Sequence, residues 1–318
     1  MTVRAFVDEH YRHFNAGTVQ RTASSLTALI ESGGRVFLTL AGAMSTAEIG
    51  RTLAPMIRAG HIAAISCTGA NLEEDMFNLV AHHHYEHISS HEDLAPADDE
   101  ALFQRHLNRV TDTCIPEEEA IRAIEGHLMD RWGDVDETSA QLPHLFLYDL
   151  LTSGELSDVY QANPAHSWLL AAAEVGLPLY VPGWEDSTLG NIFAARSLEG
   201  RLNPNAVLGG VHYMRHLTEF YRSNTEPLAF LQVGGGRAGD FPICVVPLLH
   251  QDLKTAVPLW SWFAQITDAT ASYGGYSGAP PNEKISWGKL SVSTPRFNIN
   301  SDATIVLPLL FGYVLDLA

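Results

Sequence analysis

With 318 residues, 46% of them apolar and 18% charged, the chain can bury a full core, in one large α/β domain or two small ones. Nineteen Lys and Arg against 37 Asp and Glu give a formal charge of −18, which argues against nucleic acid and suits a cationic ligand drawn in by long-range attraction. Cys67, Cys114 and Cys244 are too few and too scattered for a disulfide framework or a CxxC metal site. Charged residues follow Met1-Thr2-Val3-Arg4-Ala5 where a signal peptide would be apolar, and the apolar run over 304–314 is too short to span a bilayer. The expectation is a soluble, cytoplasmic protein.

The elements alternate along the chain. Residues 36–40 read as a buried strand, 45–59 as a helix and 62–66 as a strand. A helix over 72–83 carries Glu73, Glu74 and Asp75 in its first turn, where carboxylates suit the helix dipole. Residues about 85–165 read as a more polar, helix-rich insertion, its clearest helix opening at Pro116 ahead of Glu117, Glu118 and Glu119. Alternation resumes with a helix over 165–175, a strand over 179–181, helices over 188–197 and 205–221, and a strand over 228–233 running into Gly234, Gly235 and Gly236. A helix follows, then a strand over 259–267 and a final helix from about Ser301. This pattern predicts an α/β fold, a mostly parallel sheet with helices on both faces, whose ligands bind at the carboxyl ends of the strands. Residues 1–35 are expected as a helical extension to a single domain over 36–318.

Marked residues fall at those strand ends. Thr68-Gly69 follows one expected strand, Asp186 another, Gly234 to Gly236 a third and Ala269 a fourth. Glycine admits close backbone approach and carboxylates accept ribose hydroxyls, so such ends can hold a dinucleotide. The triplet is not a GxGxxG fingerprint, and alone it is more often a turn.

Near the C-terminus, Ser286-Trp287-Gly288-Lys289 follows Ser277-Gly278-Ala279-Pro280-Pro281-Asn282-Glu283. A desolvated lysine loses its proton and can then form an imine, Trp287 offers a π-face to a cation, and Glu283 offers a negative charge. On a helix Glu283 and Trp287 share a face, and Lys289 joins them only if the helix ends near Gly288. The alternative is a surface lysine after a Pro-rich loop. His82, His83, His84, His87 and His91 invite a metal reading, with His84, His87 and His91 on one helical face. No acid completes a HExxH motif, so hydrogen-bonding or interface histidines are the expectation.

The segment over 277–289 resembles the active-site lysine segment of the deoxyhypusine synthase family, S-G-A-x-P-x-E-x-x-S-W-G-K. Thr68 followed by Glu73-Glu74-Asp75 is similar to that family's T-x-x-x-x-E-E-D element, and Trp184-Glu185-Asp186-Ser187-Thr188-Leu189-Gly190 to its T-D-G-S-L-G-D element. The glycine triplet and Ser301-Asp302-Ala303-Thr304 complete five elements in the family's order. The resemblance implies a Rossmann-like NAD-binding fold, with NAD contacts at Thr46, Thr68, Gly69, Glu74, Asp186, Gly234, Gly235, Gly236, Ala269, Asp302 and Ala303. It implies Lys289 as the catalytic residue, with Glu283, Trp287, Asp240, Asn191, Thr188, Tyr276 and Ser277 around the amine substrate.

The pattern departs in places. Gly42-Ala43 stands for the family's S-N pair, Tyr273-Gly274 for its D-G, Asn191 for a terminal Asp, Asp240 for a histidine after the triplet, and Tyr276 for an Asp. The chemistry implied is oxidation of a polyamine next to nitrogen by NAD, capture of an aminobutyl-type group by Lys289 as an imine, and its passage to an acceptor amine. The departures favour a small-molecule acceptor, giving a homospermidine-like product or its equivalent from a guanidino amine such as agmatine. The alternatives are a translation-factor lysine as acceptor, or a non-catalytic NAD-binding regulator. The family's tetramer, with active sites at subunit interfaces, is expected here too.

Overall fold

Three phenylalanines set the register of the central sheet. The strands are β1 (Arg35–Leu40), β2 (Ile62–Cys67), β3 (Glu86–His87), β4 (Leu107–Val110), β5 (Thr113–Pro116), β6 (Leu179–Tyr180), β7 (Leu228–Val233), β8 (Trp262–Thr267) and β9 (Arg296–Asn300), and Phe37 on β1 pairs with Phe230 on β7, which pairs in turn with Phe263 on β8. The rings stack at 5.8 and 5.9 Å between centroids on directly paired residues of β1, β7 and β8. A slip of one residue would throw each ring to the opposite face. The computed structural model describes residues 1–135 and 138–318.

The main sheet has six parallel strands in the order β6-β2-β1-β7-β8-β9. Every residue of β2, β7 and β8 is buried, as mostly apolar runs require when helices flank the sheet. Strand order reverses between β1 and β7, and in open α/β sheets the crevice beyond that point receives the ligand. Helices Phe14–Glu31 and Ala303–Val314 pack on each other, and the former also packs on β9. Among the described residues no helix is long and apolar enough to cross a membrane.

Several expected boundaries move. The helix expected over 45–59 is regular only over Gly50–Arg58, because residues 42–49 are turns held by Asn71, as shown below. The helix expected over 72–83 runs Gly69–Ala81, opening where the Thr68 hydroxyl accepts from Asn71 N–H. Pro116 does not open a helix. It ends β5 with extended backbone (φ −72°, ψ 131°), and a π-turn over Glu117–Arg122 leads into the helix Ala123–Gly133. The insertion also holds a small antiparallel sheet, β3-β5-β4, whose strands of two to four residues are too short to give a periodic signal.

Other corrections are shifts at element ends. The helix expected over 165–175 shortens to Trp168–Glu174 behind a 3-10 turn, and that over 205–221 becomes Gly210–Ser223. The strand expected over 259–267 begins at Trp262, and the last helix begins at Ala303 with Asp302 as its cap. Edge strand β9 was not expected, since Arg-Phe-Asn-Ile-Asn lacks an apolar run and is only partly buried.

Candidate active site

Buried Asn71 shapes the loop after β1. Its side-chain amide donates to the carbonyls of Leu40 (3.2 Å), Ala41 (3.3 Å) and Gly42 (2.7 Å), while its oxygen accepts from Ser45 N–H at 3.1 Å. The Thr68 hydroxyl donates to Gly42 O at 2.8 Å, so the ends of β1 and β2 are tied together. Sequence reading missed Asn71. Its only signal is a polar residue in a helix that is otherwise buried almost throughout.

The three consecutive acids divide by direction. Glu73 accepts from Thr188 N–H (2.9 Å) and Leu189 N–H (2.8 Å), capping the helix Thr188–Leu198. Asp75 accepts from the Ser167 hydroxyl and Leu169 N–H, capping the helix Trp168–Glu174. Glu74 alone keeps its carboxylate free of such capping and accepts the Thr46 hydroxyl at 2.7 Å. Burial pushes the Glu74 carboxyl up to about 7 and the Asp75 carboxyl up to about 6, each opposed by hydrogen bonds to the ionised form.

Next to them lies the glycine turn. Gly234 has φ +70°, and a Cβ there would stand 2.9 Å from that of Ala41 across the switch point. A Cβ on Gly235 would fall 2.2 Å from the Ser277 hydroxyl, so glycine lets the lysine-bearing loop close on the turn. Gly236 opens the helix Gly236–Ile243. Arg237 reaches back to Asp186 at 3.1 Å, linking the loop after β6 to this turn. Ala269 N–H donates to the Thr267 hydroxyl beyond β8. Asp302 accepts from Thr304 N–H at 2.7 Å, and Ala303 is the first residue of the last helix. Gly69 packs so closely that a Cβ there would meet that of Ser187 at 2.4 Å. Thr46, Met44, His82, His87 and Asp302 line a cavity of about 780 Å³. A glycine turn at the switch point, a helix N-terminus beside it, the Glu74 carboxylate on the helix after β2, and Asp186 and Asp302 in the segments after β6 and β9 fit a dinucleotide.

The lysine turn is built from its backbone. A short helix, Glu283–Ser286, ends at Trp287, and Gly288 at φ +68° reverses the chain. Lys289 N–H then donates to Lys284 O at 3.0 Å. The turn buries Lys289 to 5% exposure and sets its Nζ 3.4 Å from Asp240, 5.6 Å from the Trp287 ring centroid and 5.8 Å from that of Tyr276. The expected convergence is partial: Trp287 and Lys289 meet, whereas Glu283 is exposed and makes no hydrogen bond or ion pair to Lys289. Asp240 stands on the helix that follows the glycine turn, so one element serves both groups of residues.

Tyr276 links them again. Its hydroxyl donates to Gln232 Oε1 at 2.7 Å, and Gln232 Nε2 donates to Gly234 O at 3.0 Å. Burial pushes the Tyr276 phenol well up, which keeps it a donor. Gln232 and Arg237 were also missed by sequence reading. So was Lys284, which is 2% exposed, with Nζ 4.4 Å from the Tyr276 ring centroid and 3.4 Å from Ala279 O. Burial, then the charge of Lys289, brings the Lys284 ammonium down to about 8. A signal was there to be read: Lys254, Lys284 and Lys289 are the only lysines in the chain.

Thr188 and Asn191 stand apart. They line a second cavity of about 660 Å³ with Arg122, Asp186 and Arg196, and no contact among the described residues joins them to Lys289. Asn191 donates to Glu185 O (2.8 Å) and Ser187 O (2.9 Å) at the start of its own helix. The histidines do not share a helix. His82 to His84 form a 3-10 turn, His87 lies on β3 and His91 opens another turn. His82 faces Glu48 at 3.6 Å, His84 faces Glu119 at 3.7 Å and His87 faces Asp112 at 3.8 Å. Among the described residues no three His, Cys, Asp or Glu gather into a metal-holding group.

The deoxyhypusine synthase family model matches residues 8–314. The chain belongs to the deoxyhypusine synthase family. A deoxyhypusine synthase-like protein of Cyanothece sp. is 31% identical over 335 residues, spanning 99% of this chain and 80% of that one. A Methanosarcina mazei protein named "Probable deoxyhypusine synthase 2" is 26% identical, over 88% of this chain and 76% of the relative. A deoxyhypusine synthase candidate from Entamoeba histolytica has a crystal structure that superposes with a TM-score of 0.58 at 11% identity, covering 98% of this chain and 92% of the other. That last likeness concerns the fold. The deoxyhypusine synthase family comprises NAD-dependent aminobutyl transferases that take an amine substrate and assemble as homotetramers.

Proposed function

We propose that this chain transfers an aminobutyl-type group from a polyamine or guanidino amine to a small acceptor amine, through an imine on Lys289, giving a homospermidine-like product. The observation that carries this reading is the pairing of buried Lys289 with Asp240, at a position where the family pattern has a histidine. A carboxylate beside the lysine adds a second recognition point for an ammonium group, which suits a free amine.

NAD, when bound, supplies the oxidation of the amine carbon and the later reduction. Glu74, Asp186, Asp302 and the glycine turn would hold it. The chain's residues do the rest. Lys289 must lose its proton, since an ammonium has no lone pair to attack. Its nitrogen then adds to the imine carbon of the oxidised donor, and the bond from that carbon to the departing amine breaks as that amine takes up a proton. Asp240 holds an ammonium group during the exchange, and the rings of Tyr276 and Trp287 stack on the cationic chain. An acceptor amine repeats the exchange and frees Lys289. Water must be kept out, because it would hydrolyse the imine.

Trp287 is 63% exposed, Glu283 is exposed, and Thr188 and Asn191 lie apart from Lys289. These facts support a site completed by a neighbouring subunit of a homotetramer, whose place would be the cytoplasm. The test is mass spectrometry of reactions with NAD and spermidine, putrescine or agmatine, with and without a translation-factor acceptor. A small amine product formed without the factor supports the proposal. Product only on the protein lysine makes this a true deoxyhypusine synthase, and no product with any amine leaves a non-catalytic NAD-binding regulator.

A further inference from the structure

Few buried polar side-chain atoms among the described residues lack a hydrogen-bond partner, and of these only the Tyr85 hydroxyl belongs to a side chain lining the cavity of Thr46 and Asp302. Other polar groups of that wall are matched. Thr46 donates to Glu74, His82 faces Glu48, and Asp112 accepts from the Thr113 hydroxyl at 2.9 Å. A hydroxyl kept from water without a partner costs free energy, so an orphan beside a ligand cavity points to a partner on the ligand. Tyr85 is held from both sides. Its N–H donates to His82 O at 3.3 Å, and His83 N–H donates to Gln161 Oε1 at 2.9 Å, which fixes the turn before it. β3 begins at the next residue and pairs with β5, while the Tyr85 ring packs on the main core.

We propose that Tyr85 is a further NAD-binding residue, supplied by the insertion: its hydroxyl donates to the ribose diol whose protons Glu74 accepts. Glu74, tied to Thr46 of the same cavity, is near enough for its charge to act on the phenol, yet the two make no hydrogen bond to each other. A group that both gives and takes hydrogen bonds therefore fits between them. Each ribose hydroxyl has one proton to give and lone pairs to receive with, so a carboxylate and a phenol side by side suit a vicinal diol. Burial, then the charges of Glu74 and Asp75, push the Tyr85 phenol well up, which keeps it a donor. The small sheet β3-β5-β4 thereby gains a role: it carries Tyr85 and His87 to one wall of the cavity, opposite nothing the glycine turn itself provides.

The inference concerns NAD binding alone and does not depend on which amine accepts the transferred group. In calorimetric titration of the full chain with NAD, Tyr85→Phe should raise the Kd about tenfold, the loss of one hydrogen bond. Without NAD the same variant should melt no lower than wild type, because phenylalanine keeps the ring and removes a hydroxyl that has no partner among the described residues. An unchanged Kd overturns the proposal. So does a Tyr85→Phe chain that melts well below the wild type, or fails to fold, since the hydroxyl would then be holding the free protein together. The double variant with Glu74→Gln tests the shared diol. A combined loss of affinity smaller than the product of the two single losses supports it, and independent losses overturn it. A wild type that binds NAD in this way but transfers no group would remove the proposed function and leave this inference standing.

Discussion

Asp240 Oδ1 lies 3.4 Å from Lys289 Nζ, across the gap between the helix that follows the glycine turn and the turn that carries the lysine. The carboxylate is half exposed while the ammonium is buried, so Asp240 can serve an incoming amine as well as the lysine. Asp240→Asn should raise the KM for the amine about tenfold, near 1.4 kcal/mol, with little change in NAD affinity. Steady-state kinetics with NAD binding measured separately would show it; an unchanged KM would remove Asp240 from amine recognition.

Glu73 works far from the lysine. Its two bonds cap the helix Thr188–Leu198, and Glu73→Ala would leave two N–H groups without partners. A loss of about 2–3 kcal/mol in unfolding free energy is expected, read from chemical denaturation.

Glu74 makes stability depend on pH. Its carboxyl is raised to about 7 in the folded chain against 4.5 in the unfolded one. The folded state therefore binds the extra proton, and the stability this confers is full below pH 4.5 and lost as pH rises through 7. Glu74→Gln should match the wild type near pH 4 and exceed it by about 2–3 kcal/mol at pH 8, in the absence of NAD. Melting curves across that range test it, and a gap that does not widen with pH would contradict it.

Gly235→Ala would drive a methyl group into Ser277, whose hydroxyl and Cα stand 2.2 and 2.6 Å from the new Cβ. Because Ser277 belongs to the loop leading to Lys289, both NAD binding and amine transfer should fall at least tenfold. Calorimetry with NAD reads the first and product formation the second. Loss of only one would mean that the turn and the loop are less tightly joined than Gln232 and Tyr276 suggest.

The sheet was legible in the sequence because β1, β2 and β7 are mostly apolar runs, interrupted within their buried residues only by Thr39, Ser66 and Gln232, and both faces of each strand are buried. β9 was hidden, being an edge strand with alternating polar residues. Pro116 misled because a proline before three acids marks a helix start equally well whether it is the first helical residue or the last of a strand. In the site, residues that present a motif were visible, whereas those that hold the motif in place were not. Asn71, Gln232 and Lys284 act through contacts distant in sequence or through burial, neither of which local spacing records.

The most direct measurement of the central claim is borohydride trapping in the presence of NAD and a candidate amine, followed by peptide mass spectrometry. A reduced aminobutyl-type adduct on Lys289, absent without NAD and absent from a folded Lys289→Arg variant that still binds NAD, is the predicted result. Full amine transfer by Lys289→Arg, or an adduct on another residue alone, would contradict it.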